Sequence, residues 1–598
     1  MATSAFQMIL AGMLFLGILA DAAIFGKKDV AKAKQPTVTV RNGTYVGIRS
    51  SHYSLDYFLG IPFAQPPVGN LRLAPPASLN SSFTGNRNAT HLQPACIQFS
   101  FPLGCQAATI DRPISEDCLT LNVYRPSGYE GQSLPVLVWI YGGGFIQGSN
   151  SDPRYNLTFM VDNSVKMGKP IIAVNINYRL NGFGFLGGPV IREQGLANLG
   201  LRDQRLALEW VQENIAAFGG DASRVTIWGQ SAGAGSVGSQ LLAYGGRNDS
   251  LFRGAIADSG GPLGFQTPSN ATQLESWNSV LDLTGCSGSK NPVACLRSVS
   301  SANITSAVNA SGGSFGPIYD GDFLETASSA QVLSGQFLKV PLLTGSNTDE
   351  GTEFVGAASY IGGLPTISYP NDTSFLDVVK SKIVNSTALF AALPVISALY
   401  PDIPAIGIPH TYHGRMNSTF GTQYKRVAAF SGDFTIHMGR RLAAQQWTKH
   451  GVPVYTYHYD QWPIGGLPDT TGTTHFTEVQ LVQYDELGFG YEAPWYPSGS
   501  EYAGMNQDFY ALARLMSRMW ISFVHDLDPN EHGIKSHNGV AIPKWQPYAA
   551  STSSDEEGYG TNLRFLSSLP GLAEPEWDTW RAEAIQYLIE NISTLFGM

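Results

Sequence analysis

The chain has 598 residues, 43% hydrophobic and 11% aromatic, with a mean hydropathy of −0.06, enough apolar content for a large buried core in a water-exposed protein. Only 14% are charged, against about 25% in an average globular protein, so something other than charge must keep the surface wetted. A net charge of −10 and a pI near 5.6 exclude nucleic acid or an anionic membrane as the main partner.

Met8 to Ala20 is apolar and runs into Ala20-Asp21-Ala22, a small-x-small pattern of the kind a signal peptidase accepts. The run falls short of the roughly 20 residues of a spanning helix. Residues 1–22 are therefore expected to be a signal peptide and 23–36, ending in Ala31-Lys32-Ala33-Lys34-Gln35-Pro36, a short lead-in. No later apolar run is long enough to span a bilayer, so secretion without a stable membrane anchor is expected. Asn-x-Ser/Thr sites begin at Asn42, Asn80, Asn88, Asn156, Asn248, Asn270, Asn303, Asn309, Asn371, Asn385, Asn417 and Asn591, and glycans there would supply the missing solubility. Five cysteines in an exported chain imply disulfides and one leftover thiol. There is no Cys-x-x-Cys or His-x-x-x-His cluster, so neither metal nor cofactor is expected.

The middle of the chain alternates strand and helix. Val136–Tyr141 and Ile171–Asn177 are continuous apolar runs, as in strands covered on both faces. A helix is expected from about Arg202 to Phe218, with Leu206, Trp210, Val211 and Ile215 on one face and Gly219-Gly220 ending it. Strands follow at Arg224–Trp228 and Gly254–Ala257, then helical segments from Gln273 to Ser334, then strands at Val340–Gly345 and Val452–Tyr459. Residues 37–598 thus read as one α/β body, a mostly parallel sheet with helices on both faces and long insertions that wall a substrate gorge.

Gly229-Gln230-Ser231-Ala232-Gly233 falls between a strand and a helix rich in small residues. Such a turn holds a serine in a strained conformation at the top of the sheet, with a positive helix end behind it. Tyr141-Gly142-Gly143-Gly144-Phe145, at the end of an earlier strand, offers bare backbone N–H groups. Donors of that kind, aimed at a developing oxyanion, are worth roughly 3 kcal/mol of barrier each. A hydroxyl needs a base, so an acid and a histidine should follow in chain order. Asn347-Thr348-Asp349-Glu350-Gly351 follows a strand, and spacing alone does not separate Asp349 from Glu350. Of the later histidines, His458 lies in an expected strand and His525 in an expected helix, whereas His475 sits on a loop after a strand, where such sheets display catalytic groups.

Together these pieces resemble the type-B carboxylesterase family, which includes cholinesterases and secreted fungal lipases. Further matching stretches are Phe58-Leu59-Gly60-Ile61-Pro62-Phe63-Ala64-Gln65-Pro66-Pro67-Val68-Gly69, Ser115-Glu116-Asp117-Cys118-Leu119, Asn198-Leu199-Gly200-Leu201-Arg202-Asp203-Gln204 and Phe218-Gly219-Gly220-Asp221. The resemblance implies an α/β-hydrolase fold and ester hydrolysis, with Ser231 as nucleophile, Glu350 as acid and His475 as base. It implies Gly143, Gly144 and Ala232 as oxyanion donors, Ser259 and Glu478 as buried polar neighbours, and disulfides Cys96–Cys118 and Cys286–Cys295. Cys105 is then the odd thiol, with Cys96–Cys105 as the alternative pairing. Two departures bear on substrate. Gln230 stands where many relatives carry Glu, and no tryptophan lies between Cys96 and Cys118, where cholinesterases place one for cation–π contact. Both argue against choline esters, and the short Cys96–Cys118 segment argues for soluble esters of short or medium chain length. A triacylglycerol or sterol-ester lipase, with aromatics such as Tyr491–Tyr496 lining an acyl tunnel, is the alternative enzyme. A non-catalytic adhesion protein is the alternative of another class, and the intact Ser231, Glu350 and His475 speak against it.

Overall fold

The computed structural model describes residues 35–50, 52–99, 113–263, 268–355, 367–462, 469–488, 504–549 and 558–598. The apolar N-terminal stretch, Cys105 and Tyr491–Tyr496 lie outside these residues, as do parts of the insertions expected to wall a gorge.

Apolar β-branched runs pair into one large sheet. Its strands are β1 (Ile48–Ser50), β2 (Leu55–Pro62), β3 (Thr120–Pro126), β4 (Leu134–Ile140), β5 (Ile172–Ile176), β6 (Gly220–Gln230), β7 (Gly254–Asp258), β8 (Leu342–Asn347), β9 (Val454–Tyr459), β10 (Thr561–Phe565) and β11 (Ala573–Trp577). They lie in the order β11-β10-β9-β8-β7-β6-β4-β5-β3-β2-β1. Neighbours from β10 through β5 run parallel. The flanks differ from the mostly parallel expectation: β5 with β3, β3 with β2, β2 with β1, and β10 with β11 pair antiparallel. Two of those pairs, β1–β2 and β10–β11, are joined by short loops, and a short connection allows only an antiparallel return.

Every residue of β4, β5, β7 and β8 is buried, so both faces of the central sheet are covered. Trp139 of β4 and Trp228 of β6 pack edge-on across the sheet with centroids 4.4 Å apart. Helix α1 (Leu199–Asn214) starts a little before the expected boundary, and Ile215–Phe218 continues as a 3₁₀ turn closed by Gly219 at φ 85°. Helix α2 (Ala232–Gly246) lies against β6 and β7 and carries five glycines, and the helical backbone breaks at Ala243–Gly245. Helix α3 (Gln507–Asp526) brings Trp520 against Tyr457 of β9, with centroids 5.2 Å apart. Disulfides join Cys96 to Cys118 and Cys286 to Cys295, the two pairings the resemblance implied. No helix among the described residues is long and apolar enough to cross a membrane.

Candidate active site

β6 ends at Gln230 and α2 begins at Ala232, so Ser231 alone makes the turn, with φ 58° and ψ −127°. A serine at positive φ is strained and persists only where its surroundings leave no alternative. Glycine on either side makes that possible. A Cβ on Gly229 would lie 2.4 Å from the Gly233 carbonyl, and one on Gly233 would lie 2.1 Å from Ile140 O. The Ser231 N–H donates to Asp258 O at 3.0 Å, and Ser231 O accepts from Gly235 N–H at 2.9 Å, which fixes the turn to β7 and to the helix.

The loop after β4 passes directly against this turn. A Cβ on Gly142 would lie 3.0 Å from Ser231 Cβ and 2.6 Å from Gln230 O. Gly143 and Gly144 take φ 102° and 64°, and a Cβ on Gly143 would strike Gln147 O at 2.3 Å. Only glycine fits at Gly143. The Ile146 and Gln147 N–H groups both donate to Gly143 O at 3.1 Å, tying the loop back on itself. The backbone N–H groups of Gly143, Gly144 and Ala232 donate to no acceptor among the described residues. Gly143 and Gly144 lie in the loop that passes against the Ser231 turn, and Ala232 is the first residue of the helix that follows it.

Glu350 opens a 3₁₀ turn just beyond β8, and its Oε2 lies 2.5 Å from His475 Nδ1. Its Oε1 accepts from Ser259 Oγ at 2.6 Å and from Asn347 N–H at 2.8 Å, so both oxygens serve as acceptors. The side chain of Asp349 turns the other way, towards His410 and Thr473 N–H. Glu350 and His475 are both buried, at 0% and 1% exposure, and Ser231 is 5% exposed. Burial pulls the His475 pKa down, but the charge and hydrogen bond of Glu350, with Glu478 and Glu353 behind it, raise it overall. The Gln230 amide Nε2 stands 3.4 Å from His475 Nε2, the face of the ring turned away from Glu350.

Glu478 completes the floor. Its Oε2 accepts from Asn347 Nδ2 at 2.6 Å and its Oε1 from Ser259 Oγ at 3.5 Å. Burial, then the negative charges of Glu350 and Asp258, push its carboxyl up to about 8. The other histidines singled out lie elsewhere: His458 pairs with Glu576 at 2.5 Å, and His525 with Asp526 at 2.7 Å. Sequence reading did not single out Phe354, whose ring lies 5.1 Å from that of His475, or the pairing of Asp349 with His410. Both follow from contacts distant in sequence that no local pattern records.

A parallel sheet with a strained strand-to-helix serine, and an acid and histidine on loops after later strands, defines an α/β-hydrolase. The chain belongs to the carboxylesterase family, whose model matches residues 34–564. Lipase 4 of Diutina rugosa is 34% identical over 600 residues, covering 95% of this chain and 98% of its own. A secreted triacylglycerol lipase of Gibberella zeae is 35% identical over 547 residues, covering 86% of this chain and 85% of its own. The crystal structure of Aspergillus niger EstA superposes with a TM-score of 0.74 at 26% identity, covering 93% of this chain and 98% of that one. The protein is a carboxylic ester hydrolase.

Proposed function

We propose that Ser231, His475 and Glu350 form the catalytic triad. His475 Nε2 takes the Ser231 proton as Oγ attacks the ester carbonyl, and Glu350 holds the ring through Nδ1 and stabilises the imidazolium. The N–H groups of Gly143, Gly144 and Ala232 hold the tetrahedral oxyanion. His475 then protonates the leaving alcohol, and water, activated by the same ring, releases the acid from Ser231. The observation that carries this reading is the buried 2.5 Å contact of Glu350 with His475 on loops beside the strained Ser231.

The substrates proposed are uncharged monomeric esters of short or medium acyl length. Support comes from the neutral Gln230 amide beside His475 and the absence of tryptophan between Cys96 and Cys118. It also comes from the disulfide that closes that segment across only 22 residues. Each further methylene in an apolar acyl pocket adds up to about 0.8 kcal/mol of binding, so preference should climb with chain length until the pocket is full. With p-nitrophenyl esters from acetate to palmitate and a triglyceride emulsion, rates should rise smoothly with concentration and peak on soluble esters. The second reading, a triacylglycerol lipase, draws on the name of the Gibberella zeae relative. Negligible turnover below the solubility limit, with a sharp rise above it, would favour that second reading.

Secretion follows on this proposal from residues 1–22 as a signal peptide and from glycans on the sequons. Asn156 is the exception among the twelve sites. It is buried at 9% exposure, whereas the others are exposed or half-buried, so it is the site least open to a glycan in the folded chain. Mass spectrometry of protein from the culture medium should find an N-terminus at or beside Ala23 and an unmodified Asn156. Retention of Met1, or a glycan on Asn156, would contradict these assignments.

A further inference from the structure

His410 is not among the groups used above, yet it joins the ends of the two strands that carry them. Its Nδ1 lies 2.7 Å from Asp349 Oδ2, its Nε2 lies 3.2 Å from Asp460 Oδ1, and its backbone N–H donates to Asp349 Oδ1 at 2.8 Å. Asp349 directly precedes Glu350, and Asp460 directly follows β9. Nδ1 is hydrogen-bonded to one carboxylate and Nε2 lies at ion-pair distance from a second, so the ring sits between two acidic groups that together favour the imidazolium.

Asp349 passes this hold on to the base. Its N–H donates to Thr473 O at 3.0 Å, and its Oδ2 accepts from Thr473 N–H at 2.9 Å, two residues before His475. A Cβ on Gly472 would lie 2.0 Å from that same oxygen, so the segment is seated closely on the carboxylate. Asp460 is held in turn by Thr348 Oγ1 at 2.5 Å and by Arg564 Nε at 2.9 Å. Asp349 and Asp460 are 0% and 5% exposed, so without a cation between them two like charges would repel at low dielectric.

We propose that His410 is a positioning residue of this esterase: as an imidazolium it clamps Asp349 to Asp460 and so fixes the turn presenting Glu350 against the segment presenting His475. This rests on the triad assigned above.

The charged and titratable groups around the ring are few. Asp349 and Asp460 are its partners, with Arg564 behind Asp460. Lys425 Nζ donates to the carbonyls of Pro409, at 2.7 Å, and Tyr412 on either side of His410 in the chain. His458, paired with Glu576, reaches Asp460 through Thr348. The uncharged Trp462 ring packs at 6.0 Å. Burial lowers the His410 pKa, but the hydrogen bond and charge of Asp349, with the charge of Asp460, raise it overall. A folded value above the unfolded one means that the clamp is complete below about pH 6.5 and is lost as pH rises through the raised value. Lys425, pushed down by burial to about 8, and His458, lowered by burial but raised overall by its bond to Glu576, also titrate on that side.

The test measures kcat and KM for p-nitrophenyl butyrate from pH 5 to 10, with thermal melts, in the wild type, His410→Gln and His410→Lys. Displacing a triad group by a fraction of its working distance costs up to about 10²-fold in rate. His410→Gln should lose about 10- to 100-fold in kcat at pH 7 with little change in KM. His410→Lys, charged throughout, should restore most of that loss and abolish the alkaline fall of the wild type. An alkaline fall that persists in His410→Lys belongs to Lys425, His458 or Glu478 and overturns the proposal. So does a His410→Gln enzyme with wild-type kcat and pH profile, or a His410→Lys protein that fails to fold. If Ser231→Ala retains activity, the triad itself is wrong; if Ser231→Ala is dead while both His410 variants behave as wild type, only the clamp fails.

Discussion

Ser231→Ala is expected to lower kcat by on the order of 10⁶-fold, the scale of loss when the serine of such a triad is removed. The turn gives a reason to expect little damage beyond the chemistry. Ser231 is held by its backbone, through Asp258 O and Gly235 N–H, and its hydroxyl is the only part removed. Thermal stability should therefore stay near the wild-type value while activity disappears. His475→Ala should be as severe in rate, because no other histidine among the described residues contacts Glu350. Hydrolysis of p-nitrophenyl butyrate measured beside a thermal melt separates the two effects. A folded Ser231→Ala or His475→Ala enzyme with near-normal turnover would rule out the assignment.

Glu350→Gln should cost about 10⁴-fold in kcat, as replacing the acid by its amide has done in another serine hydrolase fold. An amide oxygen can still accept from Ser259 Oγ and Asn347 N–H, but its NH₂ then faces His475 Nδ1. The ring must hold its proton on Nε2 in that arrangement, where it cannot accept one from Ser231. Asp349→Asn should cost far less, since Asp349 bonds to Thr473 in the segment before His475 and not to the ring itself. Steady-state rates of the two amide variants decide the matter. A larger loss for Asp349→Asn would make Asp349 the acid.

The parts of the site legible in the sequence are those in which the backbone is forced. Ser231 at positive φ between β6 and α2 needs small neighbours, and the requirement is written locally as Gly229 and Gly233. The same holds for Gly142 to Gly144, whose missing side chains let the loop lie against Ser231. Asp349 and Glu350 were not separable because adjacent residues in one turn point in opposite directions. Which of them meets the base depends on a segment 125 residues further along the chain. His410 is hidden for the same reason, with Asp349 61 residues earlier in the chain and Asp460 beyond the helical stretch Tyr424–Lys449. The central strands announced themselves as apolar runs covered on both faces. The edge strand β11 did not, because Ala-Glu-Pro-Glu-Trp buries only Ala573 and carries a proline, which reads as loop.

A fluorophosphonate probe tests most directly whether one serine forms the acyl-enzyme, because the probe bonds only to a serine whose proton a base can remove. The labelled protein, digested and analysed by mass spectrometry, should carry a single adduct on the peptide containing Gly229-Gln230-Ser231-Ala232-Gly233. The adduct should vanish in Ser231→Ala and be slowed severely in His475→Ala. An adduct on any other serine, or labelling that survives Ser231→Ala, would contradict the account.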